Sequence, residues 1–465
     1  MTKMKKFKTS DYVLFIAVLS SFLVAFLSSA VTILLPALAE EFSMNNIVQN
    51  WVATIFFLSV AIFSVPFGKL AGKFGLKKSL IWGIFIFLIG AIGAAIAWSS
   101  ESLLLFRVLQ GIGAALLNIT SLALIVKILP PKERGKGIGL SVTGVYIGLS
   151  LSPILGGILN YNFGWRSVFY VTIPLFLLTL IITLLKVKDE WKEGKNDPFD
   201  LKGAFLFSIG ILCFIYGFTI LNEMLGVILT VIGLILLGIF ALIELKEKYP
   251  VFEMRLFKNT KFLSANVAAL ISYFATFVVV YILNYHLQYV LGLNSQTAGM
   301  ILIITPIMMA IIVPFSGRLS DKMNPQILAA MGMGIVTIAM VIFCFLSETL
   351  PLYVIAIGMF LQGVGYGLFS SPNTNAIMSS VPPKETPLAS AAVSTVRVIG
   401  QTLSMGMLTV IFSIVMGNVL ITPENFGLLT LSSQIACIIS AVCCLIAVIV
   451  SLLGLKSKDK FNTEA

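Results

Sequence analysis

The chain has 465 residues, of which 58% are hydrophobic and 11% charged, and a formal net charge of +11. Soluble domains carry roughly 25% charged residues, so a soluble globular protein is excluded, and the high apolar content excludes a disordered chain. What remains is an all-α integral membrane protein, and at about 20 apolar residues per crossing its length suits a dozen or more helices.

Lys3, Lys5, Lys6 and Lys8 precede a first apolar run that is longer than a signal-peptide core and lacks a clean cleavage site, so a retained first helix is expected. Fourteen spans follow from the apolar runs, near 12–36, 48–69, 79–98, 102–128, 136–160, 165–186, 202–222, 224–245, 263–290, 296–317, 326–346, 350–378, 387–416 and 429–455. Cys213, Cys344, Cys437, Cys443 and Cys444 all lie inside such runs, with no CxxC pair, and read as small core hydrophobes.

Of the 31 Lys and Arg, 28 fall at the termini and in alternate loops, and so on one side of the membrane, only Arg166 on the opposite side, and Arg107 and Arg397 within spans. By the positive-inside rule both termini are cytoplasmic and the number of spans is even. The basic excess thus orients helices in the lipid bilayer, and no nucleic-acid partner is expected. Trp51, Trp98 and Trp165 fall at outer span ends and Trp82 at an inner one, as an aromatic belt would place them.

Two segments recur. Val65-Pro66-Phe67-Gly68 closes the second span and Val313-Pro314-Phe315-Ser316-Gly317 the tenth; Leu109-Gln110-Gly111-Ile112-Gly113 returns as Leu361-Gln362-Gly363-Val364-Gly365. The offsets are 249 (317 minus 68) and 252 (362 minus 110), which predicts that spans 1–6 and 9–14 are parallel repeats with spans 7 and 8 inserted. The expected domains are a six-helix bundle at 1–187, linkers and an inserted hairpin at 188–262, and a second six-helix bundle at 263–465.

The motifs resemble those of the major facilitator superfamily, and within it the fourteen-helix drug/proton antiporter family. Gly68, Leu70, Lys73, Gly75 and Lys77 match the loop signature Gly-x-Leu-x-Asp-Arg-x-Gly-Arg-Lys, and Arg107, Gln110, Gly111 and Gly113 meet the fourth-helix signature in full. Gly139, Gly148, Pro153, Gly156 and Gly157, with Ser152 in place of a glycine, match the fifth-helix signature, which resembles exporters more than importers. Trp165, Arg166, Phe169 and Pro174 follow in the family's spacing. Two departures stand out: the loop acid is Gly72, although the second repeat keeps Asp321, and residues 26–36 lack the acid usual in the first helix. The resemblance implies a major-facilitator-like fold of fourteen transmembrane helices, arranged as two six-helix bundles plus an inserted two-helix hairpin, in the cell membrane.

An arginine within a span costs about 2.5 kcal/mol or more at the helix centre, so each must face a partner or a cavity. Arg107 lies about 9 Å from Glu101 along its helix and Arg397 about 15 Å from Pro387, at 1.5 Å per residue. Gln110, Ala114 and Asn118 share a face with Arg107; Ser394, Gln401 and Ser404 share one with Arg397. Arg107, Gln110, Arg397 and Gln401 are therefore transport or coupling candidates, with a pin to a neighbouring helix's carbonyls as the bland alternative.

Every acid is placed in or near a loop, which leaves the sole histidine, His286, as the candidate proton carrier; a hydrogen-bonding wall residue is the alternative. Thr32, Asn118, Asn284, Gln362 and Asn373 are candidates for lining a substrate cavity. Gly144, Gly148, Ser152 and Gly156 recur every four residues beside Pro153, which predicts a smooth, bendable seam between the two bundles. Gly68 and Asp321 are gating candidates, Asp321 by attracting the positive end of a helix.

The expected function is secondary export of amphipathic small molecules by alternating access, coupled to proton influx. Without embedded acids, weakly charged or anionic substrates are favoured over dications. The alternatives are an uptake or symport carrier on the same fold, and a non-transporting membrane sensor or lipid-handling protein. No phosphate loop or catalytic cluster is present, and no enzyme activity, cofactor or metal is expected.

Overall fold

The computed structural model describes residues 9–192, 199–320, 322–382 and 386–454, and no strand occurs among them. Fourteen of its helical segments are long and apolar enough to cross a membrane. The first eight are α1 (Thr9–Phe42), α2 (Asn46–Phe74), α3 (Leu76–Ala95), α4 (Ser100–Ile128), α5 (Pro131–Phe163), α6 (Arg166–Lys186), α7 (Leu201–Thr219) and α8 (Met224–Glu244). The ninth is interrupted: α9 (Thr260–Thr276), α10 (Val279–Tyr285) and a π turn, His286–Val290. The tenth comprises α11 (Ser295–Leu302) and α12 (Ile304–Ser320), and α13 (Pro325–Phe343), α14 (Leu352–Ser379), α15 (Thr386–Val415) and α16 (Phe426–Leu453) complete the set.

Two compact units are formed, one of Met1–Met44, Val48–Ser208 and Asn294–Met300, the other of Asn45–Ile47, Ile209–Leu293 and Ile301–Ala465. Within each, the repeat is visible in the packing. Gly111 of α4 meets the Phe56 carbonyl and Ser59 of α2, and Gly363 of α14 meets the Thr305 carbonyl and Met308 of α12. Phe56 and Thr305, like Ser59 and Met308, are 249 residues apart (305 minus 56, 308 minus 59). Gly113 against Phe87 and Gly365 against Val336 repeat that offset (336 minus 87). In each unit the glycine stripe allows helix backbones to approach closely, the usual device where lipid removes the hydrophobic drive for association.

The small-residue ridge of α5 has a different partner from the one expected. Gly144, Gly148 and Gly156 pack on α1, at Val18, Phe22 and the Ala30–Ile33 turn, so the seam lies inside the first unit. Ser152 is fully buried on the same ridge and donates to the Leu149 carbonyl (3.0 Å). A four-residue repeat makes a face that one helix fills, and α1 fills it. Pro153 and Gly157 lie on the neighbouring face against α11: the Gly157 carbonyl accepts from Ser295 Oγ (3.2 Å), and Gly299 abuts the Pro153 carbonyl.

The one basic residue assigned to the outer side is anchored. Arg166 pairs with Glu41 (2.7 Å), donates to the Ala97 carbonyl (3.0 Å) and stacks on Trp165, tying the ends of α1 and α3 to the start of α6. Trp165 is correspondingly buried, with Nε1 donating to Glu41 (2.7 Å), so it is not a belt residue; Trp82 and Trp98 are exposed as a belt requires. The inserted α7 and α8 pack through glycines, Gly217 against Thr230 and Gly233 against Phe214, while much of α8 leaves its apolar side chains exposed, as a lipid-facing helix does.

Candidate transport site

In the first unit α4 opens with a capping box, Ser99 and Ser102 satisfying each other's backbone N–H groups, and Arg107 follows two turns in. Arg107 is fully buried. Its Nε donates to the Val52 carbonyl of α2 (3.0 Å), its Nη1 donates to Gln110 Oε1 (2.6 Å), and its guanidinium stacks over Phe56 at 4.4 Å. Gln110 Nε2 in turn donates to the Gly90 carbonyl of α3 (3.1 Å), and Gly90 leaves the space for it. Carbonyl dipoles, an amide oxygen and an aromatic face thus offset the charge, and the cluster ties α4 to both neighbours.

Elsewhere in this unit Thr32 is buried, and Asn118, three turns along the Arg107 face, is half-buried with no hydrogen bond among the described residues. Gly68 has open space where a side chain would project. Asp321 lies outside the described residues.

The second unit uses its polar residues differently. Asn373 Nδ2 donates to the Ala265 carbonyl (3.1 Å), pinning α14 to α9. Asn284 is fully buried and its Oδ1 accepts from Gln288 (2.6 Å). His286 is buried in the π turn, and neither ring nitrogen has a hydrogen-bond partner among the described residues. Gln362 is buried without a hydrogen bond among them. Arg397 and Gln401, one turn apart on α15, are both half-buried, and neither has a hydrogen bond, ion pair or ring contact among the described residues.

The sequence reading missed what lies beside that pair. The ninth span breaks at Phe277 and Val278, and the Val278 N–H, freed by the break, donates to Ser404 Oγ of α15 (2.9 Å). Irregular backbone at membrane depth survives only where protein or a wet cavity satisfies it, and Ser404 does so here. Gly400 brings α15 against Leu270, Tyr273 and Phe274 of α9, and Tyr273 meets Tyr366 of α14 edge to face (6.1 Å). No glycine or proline marks the break; the only signal was Ser404 on the Arg397 stripe. Every acid among the described residues lies in a loop or within about a turn of a helix end, including the buried Glu244, whose Oε2 accepts from the Phe252 N–H (3.0 Å).

Fourteen membrane-capable helices in a duplicated arrangement, with polar residues buried at depth, define a multi-pass α-helical membrane protein built on an internal repeat. The chain belongs to the Major Facilitator Superfamily, whose family model matches residues 17–405, and that family consists of transporters, not enzymes. It is 29% identical over 454 residues to the riboflavin transporter RibZ of Clostridioides difficile, covering 96% of this chain and 98% of that one. It is 28% identical over 387 residues to the multidrug resistance protein Stp of Mycobacterium tuberculosis, covering 81% and 71%. A bacterial homologue of the lysosomal transporter Spinster shares the fold, with a TM-score of 0.70, 18% identity and 98% coverage of both chains.

Proposed function

We propose that this protein is a secondary exporter of amphipathic small molecules, working by alternating access in the cell membrane with both termini cytoplasmic, and driven by proton influx. The observation that carries the reading is the fifth-helix signature, whose residues sit in close helix contacts: Gly148 and Gly156 on α1, Pro153 and Gly157 on α11. Multidrug resistance proteins among the relatives support the substrate class, and the distribution of Lys and Arg supports the orientation. His286, the sole histidine, buried with both ring nitrogens unpartnered among the described residues, is the proposed proton carrier.

A proteoliposome assay with an imposed pH gradient and a panel of fluorescent amphiphiles tests this. Gradient-driven flux in the wild type, uncoupled from the gradient in His286→Ala, is the expected result. Full pH-driven exchange by His286→Ala removes His286 as carrier, and flux of no compound removes the transport reading.

A second reading is favoured by the full-length similarity to RibZ: the cargo is riboflavin or a flavin-like ring system. Adding riboflavin to the same panel separates the two, since saturable riboflavin flux with no flux of the other amphiphiles selects the second.

A further inference from the structure

We propose that the α15 face carrying Arg397 and Gln401, beside the break in the ninth span, is an anion-binding subsite, and that the cargo is an amphipathic organic anion whose flat apolar body lies against Tyr273 and Tyr366. This rests on the carrier reading above and names the chemistry of what is carried.

The membrane-capable part of α15 runs from Leu388 to Val415, which places Arg397 about 13 Å along it and Gln401 one turn further, near its centre. A guanidinium at that depth needs a counter-charge or an equivalent set of acceptors. Arg107 has such a set in the Val52 carbonyl, Gln110 and Phe56; Arg397 has no protein partner among the described residues. No acid of the described residues lies in the interior of a span, so the counter-charge is supplied by what binds.

Geometry narrows the ligand. The guanidinium fork matches a carboxylate, phosphate or sulfonate through two parallel N–H bonds, and the Gln401 amide adds a further donor one turn away. Gly400 and Ser404 hold this stripe against the ninth span at its break, where Tyr273 and Tyr366 form an aromatic corner shared by α9, α14 and α15. Interrupted helices near the midplane are where carriers bind their cargo, because the interruption exposes backbone and side-chain polar groups to the cavity. An unbound cation repels a cationic cargo and leaves a neutral one with nothing to neutralise.

The test uses full-length protein in nanodiscs and two ring-matched pairs of probes, fluorescein against rhodamine 6G and flavin mononucleotide against riboflavin, with binding read by equilibrium fluorescence. At least one anion is expected to bind the wild type about tenfold more tightly than its partner, and to lose about tenfold in Arg397→Gln. Arg397→Lys keeps part of that affinity. Gln401→Glu, which retains the arginine and gives it an internal carboxylate, abolishes anion binding, so the result does not hang on one variant's folding. The subsite is overturned if neither anion binds, if the non-anionic partners bind equally, or if both variants bind as the wild type does. With the same four probes added to the proteoliposome assay above, gradient-driven rhodamine 6G flux without anion binding in nanodiscs leaves the carrier reading standing and removes the subsite. Flux of none of the four removes the carrier reading, while the binding result decides the subsite on its own.

Discussion

Arg107 and Arg397 are alike in the sequence: each sits within an apolar span, with a glutamine three or four residues on and a stripe of small polar residues on the same face. The folded chain uses them oppositely. Arg107 is fully buried and its guanidinium is held by groups on α2 and on its own helix. Arg397 is half-buried and makes no hydrogen bond or ion pair among the described residues. A buried charge whose acceptors are built into the protein is a fixed part of the fold, whereas one without them is a standing cost that a ligand relieves. On the reading proposed above, the signature residue that marks the family is the structural arginine, and the residue that belongs to no signature is the one that meets cargo.

The difference can be broken from either side. The largest effect is expected from Gly156→Leu, which drives a branched side chain into Ala30 and Ile33 of α1: transport is abolished with insertion intact, and normal flux in proteoliposomes would show that the α5 ridge is not needed. Next is Gly90→Leu, which collides with Gln110 and so dislodges the support of Arg107 without touching the arginine; a loss of about 3 kcal/mol in thermal or denaturant unfolding is expected. Ser404→Ala leaves the Val278 N–H without its acceptor and costs about 1–3 kcal/mol, with Ser404→Thr close to wild type, as unfolding of the three proteins side by side will show. Gln401→Ala is expected to change stability by less than about 0.5 kcal/mol, because its side chain makes no hydrogen bond among the described residues, yet to weaken the binding of an anionic probe severalfold.

Much of the fold was legible in the chain. Apolar run lengths and alternating Lys and Arg set fourteen spans, and the 249-residue offset found in the motifs reappears as glycine contacts at Phe56 and Thr305. The site was legible only as a set of polar residues within apolar helices. Hydropathy cannot say whether such a residue faces a neighbour or a cavity, and so Asn373, a pin to Ala265, and Arg397 carried the same signal. The break at Phe277 and Val278 left no local trace because its sequence, Ala275-Thr276-Phe277-Val278-Val279, has no glycine or proline, and its freed N–H is met by a residue 126 positions away. The partner of the α5 ridge was hidden for a similar reason: a four-residue glycine spacing announces a close helix and does not name it.

On the proposed reading, one arginine builds the fold and the other is left for cargo. Thermal unfolding of Arg107→Gln and Arg397→Gln, measured side by side in the same nanodiscs without ligand, tests it most directly. The account predicts that Arg107→Gln melts well below the wild type, by the equivalent of about 3 kcal/mol, and that Arg397→Gln melts at or above it, since it removes a charge the protein does not neutralise. An Arg397→Gln protein that loses as much stability as Arg107→Gln would contradict it.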